Sequence, residues 1–340
     1  MAQKTNLAKR RTNSMNISVL GSGGWGLALS MLLAEKGHDV KVWSAFSQEI
    51  SDLKKTRQTK LLEGITIPDT INFTADLKDA TCGCDAIVIA VPSHVVKSVC
   101  KNLSQFKLPE LIINVAKGFD EESGKRLSEV IKEELNIKYP VILSGPTHAE
   151  EVSRKIPTTI VAACEDLSLA EKVQDIFMSP VFRVYTNNDV VGVEVSGALK
   201  NVIALCAGIS DGIGFGDNTK AALMTRGMAE IIRLGLAMGG KRETFSGLTG
   251  IGDLIVTCTS MHSRNRRAGI LIGQGKTKDE AVKEVGMVVE GIKTCYSAYK
   301  LKEKYGVEMP IVDTAYQVLY HNKNAKEAVV ELMSRGKKHE

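Results

Sequence analysis

A chain of 340 residues is long enough for two domains and a substantial buried core. Its hydrophobic content of 44% and charged content of 24% are those of an ordinary soluble globular protein. The net charge of +5 comes mostly from dispersed basic residues and aromatic content is only 5%, so we expect no nucleic-acid-binding surface. Small anionic ligands fit this composition better.

Targeting and metal-binding signals are weak along the whole sequence. No apolar run approaches the roughly 18 residues that a membrane span needs, so we expect no membrane insertion. The first 14 residues are polar and basic, without the apolar segment of a signal peptide, and we expect them to be disordered. Cys82 and Cys84 are expected to be reduced in a surface loop. The sequence therefore predicts a cytoplasmic protein with no metal site.

The first predicted elements form a βαβ unit over residues 16–43. An apolar strand runs into Gly21-Ser22-Gly23-Gly24-Trp25-Gly26, and a helix then leads to a second strand. In this context the G-x-G-x-x-G pattern indicates dinucleotide binding more than a structural turn. Gly21 allows the tight turn, Gly23 lets a pyrophosphate approach the backbone, and Gly26 lets the helix pack on the strand. The N–H groups at the helix start would bind the phosphate charge.

The tip of the second strand bears on the choice of cofactor. Folds that take NAD carry an acidic residue about 20 positions after the glycines, where it binds the ribose 2′-hydroxyl, and an arginine accommodates the 2′-phosphate of NADP. Here Ser44, Ala45 and Phe46 follow the strand, and neither residue type stands at its tip. The predicted cofactor is therefore NAD or NADP, with the preference undecided.

Further apolar runs predict more strands of the same sheet, at residues 85–91, 111–115 and 141–143. Runs that are apolar on both faces are typical of a parallel sheet covered by helices, in which ligands lie at the carboxyl ends of the strands. Each of these runs ends in polar or glycine-rich residues. Two more β-like runs, at residues 159–163 and 182–185, flank a predicted helix.

The pattern changes after Asn188. Long helices rich in small residues are predicted at residues 190–208 and 220–238, and only short helices and loops follow. We therefore predict an α/β fold in two parts. Residues 15–188 form an NAD(P)-binding, Rossmann-type domain with a mostly parallel sheet, and residues 189–335 form an all-helical domain for substrate binding and catalysis.

Several longer motifs together resemble the bacterial glycerol-3-phosphate dehydrogenase family. They are SGPTHAEEV, GALKN, GIGDLIVTC, SRNRR and VVEG, supported by VPSHV, AKGF and MPIVDTAYQVLY. The resemblance spans about residues 16–335. It implies the reversible, NAD(P)H-dependent reduction of dihydroxyacetone phosphate to sn-glycerol 3-phosphate, a phosphorylated triose substrate, a supply of glycerophospholipid precursor, and a homodimer as one possible assembly.

The resemblance also implies roles for individual residues. Lys200 in GALKN matches the family's catalytic lysine. The implied substrate contacts are Lys117, Gly145, Thr147, Lys200, Asp253, Ser263, Arg264 and Asn265. The implied cofactor contacts, with those of the glycine-rich turn, are Gly21, Gly23, Gly24, Trp25, Gly26, Lys117, Ala149, Arg264, Val288 and Glu290.

The chemistry of carbonyl reduction agrees with these roles. The developing alkoxide needs a proton donor, and a lysine can serve if burial and nearby positive charge lower its pKa towards neutrality. Lys200 lies in an otherwise apolar predicted helix; the alternative is a structural lysine that reaches the surface or pairs with a carboxylate. Asp253 is expected to be partly buried, where it orients Lys200, accepts a substrate hydroxyl or caps a helix.

Arg264 is the candidate phosphate clamp. It stands between Ser263 and Asn265 just before a predicted helix, so its bidentate fork and the free N–H groups of the helix can converge on one dianion. A solvated basic helix face suits Arg266 and Arg267 better.

Two other functions remain open on the sequence alone. One is another oxidoreductase of this architecture, such as a 3-hydroxyacid dehydrogenase, although Arg264 favours a phosphorylated substrate. The other is a non-catalytic dinucleotide sensor, which would not need Lys117, Lys200 and Asp253 together.

Overall fold

The computed structural model describes residues 14–337 and residue 339, so the predicted disorder of the first 14 residues lies almost wholly outside the described chain. The chain divides into two units. The sheet unit contains the chain up to Ala116 together with Leu127–Asn188, and the helical unit contains Lys117–Arg126 together with the chain from Asp189 onward. A single boundary near residue 188 therefore misplaces Lys117–Arg126, because contacts with distant residues assign this segment to the helical unit.

The sheet unit alternates strands and helices. Its strands are β1 Asn16–Leu20, β2 Asp39–Trp43, β3 Asn72–Thr74, β4 Ala86–Ile89, β5 Leu111–Asn114, β6 Val141–Ser144, β7 Thr158–Ala163 and β8 Phe182–Asn187. Its helices are α1 Gly24–Glu35, α2 Ser47–Thr56, α3 Leu77–Thr81, α4 Val96–Leu103, α5 Leu127–Leu135, α6 Ala149–Ser153 and α7 Leu167–Phe177, with a short 3₁₀ turn at Ser93–Val95.

The strands form one sheet in the order β3-β2-β1-β4-β5-β6-β7-β8. Neighbours from β3 to β6 are parallel. β7 is antiparallel to β6, and β8 is parallel to β7. The predicted α/β class with a mostly parallel sheet is therefore confirmed. The strand order reverses between β1 and β4, and ligands of open α/β sheets bind beyond the carboxyl ends of the strands at such a point.

Both faces of the sheet are buried, which explains the continuous apolar runs. Successive side chains of a strand point to opposite faces. On β4, Ala86 and Val88 belong to one hydrophobic core cluster, and Ile87 and Ile89 belong to a second one. No position of this strand faces water, so the sequence shows no polar alternation there.

The helical unit is built around one long helix. Its helices are α8 Val190–Ile213, α9 Asp217–Ala237, α10 Arg242–Phe245, α11 Asp253–Thr259, α12 Arg264–Gly273, α13 Lys278–Val285, α14 Glu290–Tyr305, α15 Pro310–Tyr320 and α16 Ala325–Met333, with a π-helical turn at Leu248–Gly252 before α11. Helix α8 is buried along most of its length, and helices α9, α11, α12 and α14 pack against it.

The length and composition of helix α8 differ from the sequence-based expectation about membrane spans. By length and composition alone, Val190–Ile213 is long and apolar enough to cross a membrane, whereas no such run was expected. Glu194 and Lys200 lie within this segment and interrupt the apolar run, so the segment was not recognised as long and apolar enough. In the structure 89% of the most apolar 18-residue stretch of this helix is buried within the protein.

Helices α8 and α12 cross in very close contact because glycines face each other there. A Cβ atom on Gly208 would collide with the carbonyl oxygen of Arg266, and a Cβ atom on Gly269 would collide with that of Leu205. Gly212 approaches α12 in the same way. This crossing brings the start of α12, which carries the SRNRR motif, against α8, which carries GALKN.

Candidate active site

The glycine-rich turn of the sheet unit has the geometry that each glycine was expected to provide. Gly21 has a φ of 127°, and a Cβ atom there would lie 2.6 Å from the carbonyl oxygen of Ala90. A Cβ atom on Gly26 would collide with the carbonyl oxygen of Gly21. Gly23 is exposed, and a Cβ atom there would meet no atom of the described chain within 4 Å. The turn is therefore tight at both ends and open in the middle.

The surroundings of this turn fit a dinucleotide phosphate. Helix α1 has no acidic residue in its first turn, and no side chain caps its N-terminus. A Cβ atom on Gly24 would lie 3.6 Å from the Cβ atom of Ala149, so the SGPTHAEEV segment adjoins the turn. In that segment the Thr147 hydroxyl donates to the Gly145 carbonyl oxygen at 3.1 Å. Trp25 is half-buried. The structure thus gathers the predicted cofactor residues of this unit around one turn.

A carboxylate does stand at the tip of β2, contrary to the sequence-based expectation. The hydroxyl of Ser44 donates to Oε2 of Glu49 at 2.7 Å. Helix α2 begins at Ser47 and returns Glu49 to the tip, and this helix was not predicted from the sequence. The signal that could have found it is its place 23 positions after Gly26, close to the usual spacing.

The helical unit contains a buried cluster of two lysines around Asp253. Nζ of Lys200 is paired with Oδ1 of Asp253, and Nζ of Lys117 lies 2.7 Å from Oδ2 of the same carboxylate. Lys200 also donates to the Thr257 hydroxyl at 2.8 Å. Asp253 is 1% exposed and Lys200 is 6% exposed. Lys200 is therefore paired rather than solvated, and a second cation shares its partner.

The pKa values in this cluster follow from burial and charge. Burial lowers the pKa of Lys200 to about 7; Asp253 opposes this shift and Lys117 adds to it. Burial alone would raise the pKa of Asp253, but the two lysines outweigh it and hold that pKa below its usual value. The cluster can therefore exchange a proton at Lys200 near neutral pH while Asp253 stays ionised.

Two features of the cluster were not foreseen. Thr257 was missed, although it stands four residues after Asp253 on one helix face, where side chains meet. The helix-cap alternative for Asp253 is wrong, because Gly252 holds the N-cap position and the Asp253 side chain contacts the lysines. A π-helical turn, a feature frequent at functional sites, precedes Asp253.

Asn265 connects the GALKN and VVEG motifs. Its side-chain N–H donates to the side-chain oxygen of Asn201 at 3.0 Å, and its own oxygen accepts from the Gly291 N–H at 2.8 Å. Gly291 follows Glu290, the first residue of α14. Val288 and Glu290 are both half-buried near this helix start. Hydrogen bonds of Asn265 therefore link α8, α12 and α14.

Two basic residues at the start of α12, Arg264 and Arg266, have different environments. Ser263 caps the helix and accepts from the Arg266 N–H at 3.2 Å. Arg264 is the first helical residue and is exposed, and no hydrogen bond or ion pair engages it within the described residues. Arg266 was expected to be solvated, which is wrong: its guanidinium binds Asp211 through two nitrogens, at 2.9 and 2.8 Å. The close α8–α12 crossing puts Asp211 within its reach.

Comparisons with known proteins agree over most of the chain. A family model described as NAD-dependent glycerol-3-phosphate dehydrogenase N-terminus matches residues 16–170, and its C-terminus model matches residues 189–330. The glycerol-3-phosphate dehydrogenase (NAD(P)+) of Clostridium perfringens strain 13 is 57% identical over 326 residues, 95% of this chain and 98% of the relative. The enzyme of the same name in Fusobacterium nucleatum is 56% identical over 328 residues, which are 95% of this chain and 98% of the relative. A glycerol-3-phosphate dehydrogenase crystal structure from Coxiella burnetii gives a TM-score of 0.92 at 35% identity, covering 95% of this chain and 99% of that one.

Proposed function

Because this chain belongs to the NAD-dependent glycerol-3-phosphate dehydrogenase family, we propose that it catalyses the reversible reduction of dihydroxyacetone phosphate to sn-glycerol 3-phosphate with NADH or NADPH. The observation that carries the proposal is the buried cluster of Lys117, Lys200 and Asp253. A buried lysine with a pKa of about 7 is a suitable proton donor to a carbonyl oxygen at neutral pH.

Lys200 is the proton donor in this proposal. A nicotinamide cofactor held at the glycine-rich turn would supply a hydride to the carbonyl carbon, so that negative charge would develop on the carbonyl oxygen. Lys200 transfers a proton from Nζ to that oxygen, and in the reverse direction neutral Lys200 accepts it from the alcohol. Asp253 and Thr257 hold Nζ in place from two sides. Lys117 contributes positive charge that favours release of the proton.

The remaining site residues bind the substrate phosphate and the cofactor. Arg264, exposed at the start of α12, binds the substrate phosphate, with Ser263 and Asn265 beside it. The glycine-rich turn binds the cofactor pyrophosphate, and Trp25 and Ala149 contact the cofactor there. Gly145, Thr147 and Lys117 are further proposed substrate contacts. Lys117 and Arg264 also contact the cofactor, as do Val288 and Glu290.

The wider role belongs to the same proposal. Family membership supports a supply of sn-glycerol 3-phosphate for glycerophospholipid synthesis in the cytoplasm. A homodimer remains a prediction. The division of labour between a cofactor-binding domain at residues 15–188 and a substrate-binding, catalytic domain at residues 189–335 is also proposed, with Lys117 contributed to catalysis from outside the second range.

The test is oxidation of NADH and of NADPH, followed by the nicotinamide absorbance, with dihydroxyacetone phosphate or unphosphorylated dihydroxyacetone. We expect turnover with the phosphorylated ketone and little with dihydroxyacetone. Turnover with a 3-hydroxyacid and none with either ketone would favour the alternative oxidoreductase. Cofactor binding without turnover of any of these compounds would favour a sensor.

A further inference from the structure

We propose that Glu49 binds the adenosine ribose of the cofactor and makes this enzyme prefer NADH over NADPH. This inference rests on the proposed function, since it concerns the cofactor of the same site. It rests on geometry that the sequence alone did not provide, namely the return of helix α2 to the tip of β2.

The tip of β2 adjoins the glycine-rich turn directly. The N–H of Gly21 donates to the carbonyl oxygen of Trp43, the last residue of β2, at 2.8 Å. In a dinucleotide the adenosine ribose is bonded to the pyrophosphate, and the next strand tip beside the pyrophosphate turn is where that ribose reaches. Residues just after Trp43 are therefore placed to contact its hydroxyls.

Glu49 has one carboxylate oxygen available at this place. Ser44 is 5% exposed, and its hydroxyl donates to Oε2 of Glu49 at 2.7 Å. The Phe46 N–H in turn donates to the Ser44 hydroxyl at 3.3 Å, so the Ser44 side chain is fixed on both sides. No partner engages Oε1 of Glu49 among the described residues. This oxygen can accept hydrogen bonds from the vicinal 2′- and 3′-hydroxyls of a ribose.

The charge around the tip disfavours a 2′-phosphate. Residues 44–53 contain no lysine or arginine but include Glu49 and Asp52. On β2 itself, Lys41 is already paired with Asp79 at 2.8 Å. A 2′-phosphate at this place would meet a carboxylate instead of a guanidinium, and like charges placed together are a strong means of rejecting a wrong ligand.

The experiment measures binding rather than turnover. Dissociation constants for NADH and NADPH, and for adenosine 5′-monophosphate and adenosine 2′,5′-bisphosphate, are determined by calorimetry on the full chain. We expect the wild type to bind each ligand without the 2′-phosphate about 10- to 100-fold more tightly. Glu49→Gln should weaken NADH binding, strengthen NADPH binding, and move their ratio at least about tenfold towards NADPH.

Asp52→Asn is the matched control. It removes the same charge from the same helix, but the Asp52 carboxylate accepts from Gln48 instead of standing against Ser44. We expect the NADH-to-NADPH ratio of this variant to stay within about twofold of the wild type. An equal shift in both variants would mean a general charge effect and would overturn the role of Glu49.

Failure of this proposal is distinguishable from failure of the proposed function. If the wild type binds both nucleotide forms equally, or Glu49→Gln leaves their ratio unchanged, the role of Glu49 is wrong and the dehydrogenase assignment stands. If dihydroxyacetone phosphate is not reduced with either cofactor, the proposed function is wrong, and the two adenosine ligands still decide the role of Glu49. If none of the four ligands binds, both proposals are wrong.

Discussion

Lys200 is the residue on which the proposed chemistry depends most. Replacement by methionine keeps the bulk of the side chain in the buried helix and leaves Asp253 paired with Lys117. We expect Lys200→Met to lower kcat by about 10²–10⁴-fold, the usual contribution of a proton-transfer group. NADH affinity and Tm serve as controls for folding. A variant that keeps more than about a tenth of the wild-type rate would remove Lys200 from the proton-donor role.

The pH dependence of the reaction should report the environment of Lys200. Reduction needs protonated Lys200, so its rate should fall as the pH rises through about 7, and the oxidation rate should rise over the same interval. Lys117 adds to the lowering of the pKa of Lys200. Lys117→Met should therefore raise that pKa and move the basic limb of the reduction profile to higher pH. If Lys117→Met is slower but the basic limb of its pH profile does not move, Lys117 contacts a ligand and does not lower the pKa of Lys200.

Arg264 distinguishes a phosphate clamp from a surface charge. Hydrogen bonds to charged groups contribute about 1.5–3 kcal/mol each. A bidentate pair should therefore make Arg264→Ala lower kcat/KM for dihydroxyacetone phosphate by roughly two to four orders of magnitude, with little change for dihydroxyacetone. Arg264→Lys should recover only part of this loss, because a point charge cannot reproduce the fork.

The matched control for Arg264 is Arg267→Ala, a change of the same kind one helical turn further along α12. Its effect on kcat/KM should be small and similar for both ketones. Phosphite added to dihydroxyacetone should stimulate the wild type and do little for Arg264→Ala. Equal losses on both ketones in Arg264→Ala would instead make the residue structural, with Lys117 the next candidate for the phosphate.

At the scale of the element, the crossing of α8 and α12 connects packing to the site. Gly208→Ala should force the two backbones apart, because its Cβ atom would collide with the Arg266 carbonyl oxygen. Overpacking of this kind costs about 1–3 kcal/mol, which corresponds to a fall in Tm of roughly 2–12 °C. Ser210→Ala on the same helix is the control. Its buried hydroxyl has no partner among the described residues, so its loss should leave Tm nearly unchanged.

Elements with a clear pattern of apolar residues were predictable from the sequence. The helices predicted at residues 190–208 and 220–238 are present as Val190–Ile213 and Asp217–Ala237, and the predicted apolar runs form buried strands. Helix α2, Ser47–Thr56, was not predicted, since its residues are mostly polar and only Ile50 and Leu53 are buried. The omission also hid Glu49, because a side chain can be placed at a strand tip only when the following element is known.

The residues of the site were predictable, and a contact between Asp253 and Lys200 was one of three alternatives for Asp253, but the cluster with Lys117 was not predicted. Lys200 and Asp253 stand 53 positions apart, and Lys117 and Asp253 stand 136 apart. Motif resemblance suggested each residue, and the apolar surroundings of Lys200 predicted its burial. That one carboxylate bridges both lysines depends on how three elements pack. Periodicity and composition contain no information about this packing.

At the scale of the whole molecule, the segment Lys117–Arg126 shows why a linear boundary is insufficient. Phe119 is 2% exposed and belongs to the hydrophobic core of the helical unit. Arg126 pairs with the buried Glu194 on α8 at 2.8 Å. The segment is thus held to the helical unit by Phe119 near its start and by Arg126 at its end. A fragment that begins at residue 189 would lack Lys117 and part of its own core.

This arrangement predicts which elements a cavity at Phe119 destabilises. Truncation of a buried phenylalanine to alanine costs about 3–5 kcal/mol. Phe119→Ala should therefore raise amide hydrogen exchange in α8 and α14 of the helical unit and leave strands β1 and β2 protected. Phe73→Ala is the matched control: Phe73 is 5% exposed in the core of the sheet unit, so its loss should deprotect β2 and leave α14 protected. If Phe119→Ala instead deprotects the strands, Lys117–Arg126 belongs with the sheet unit.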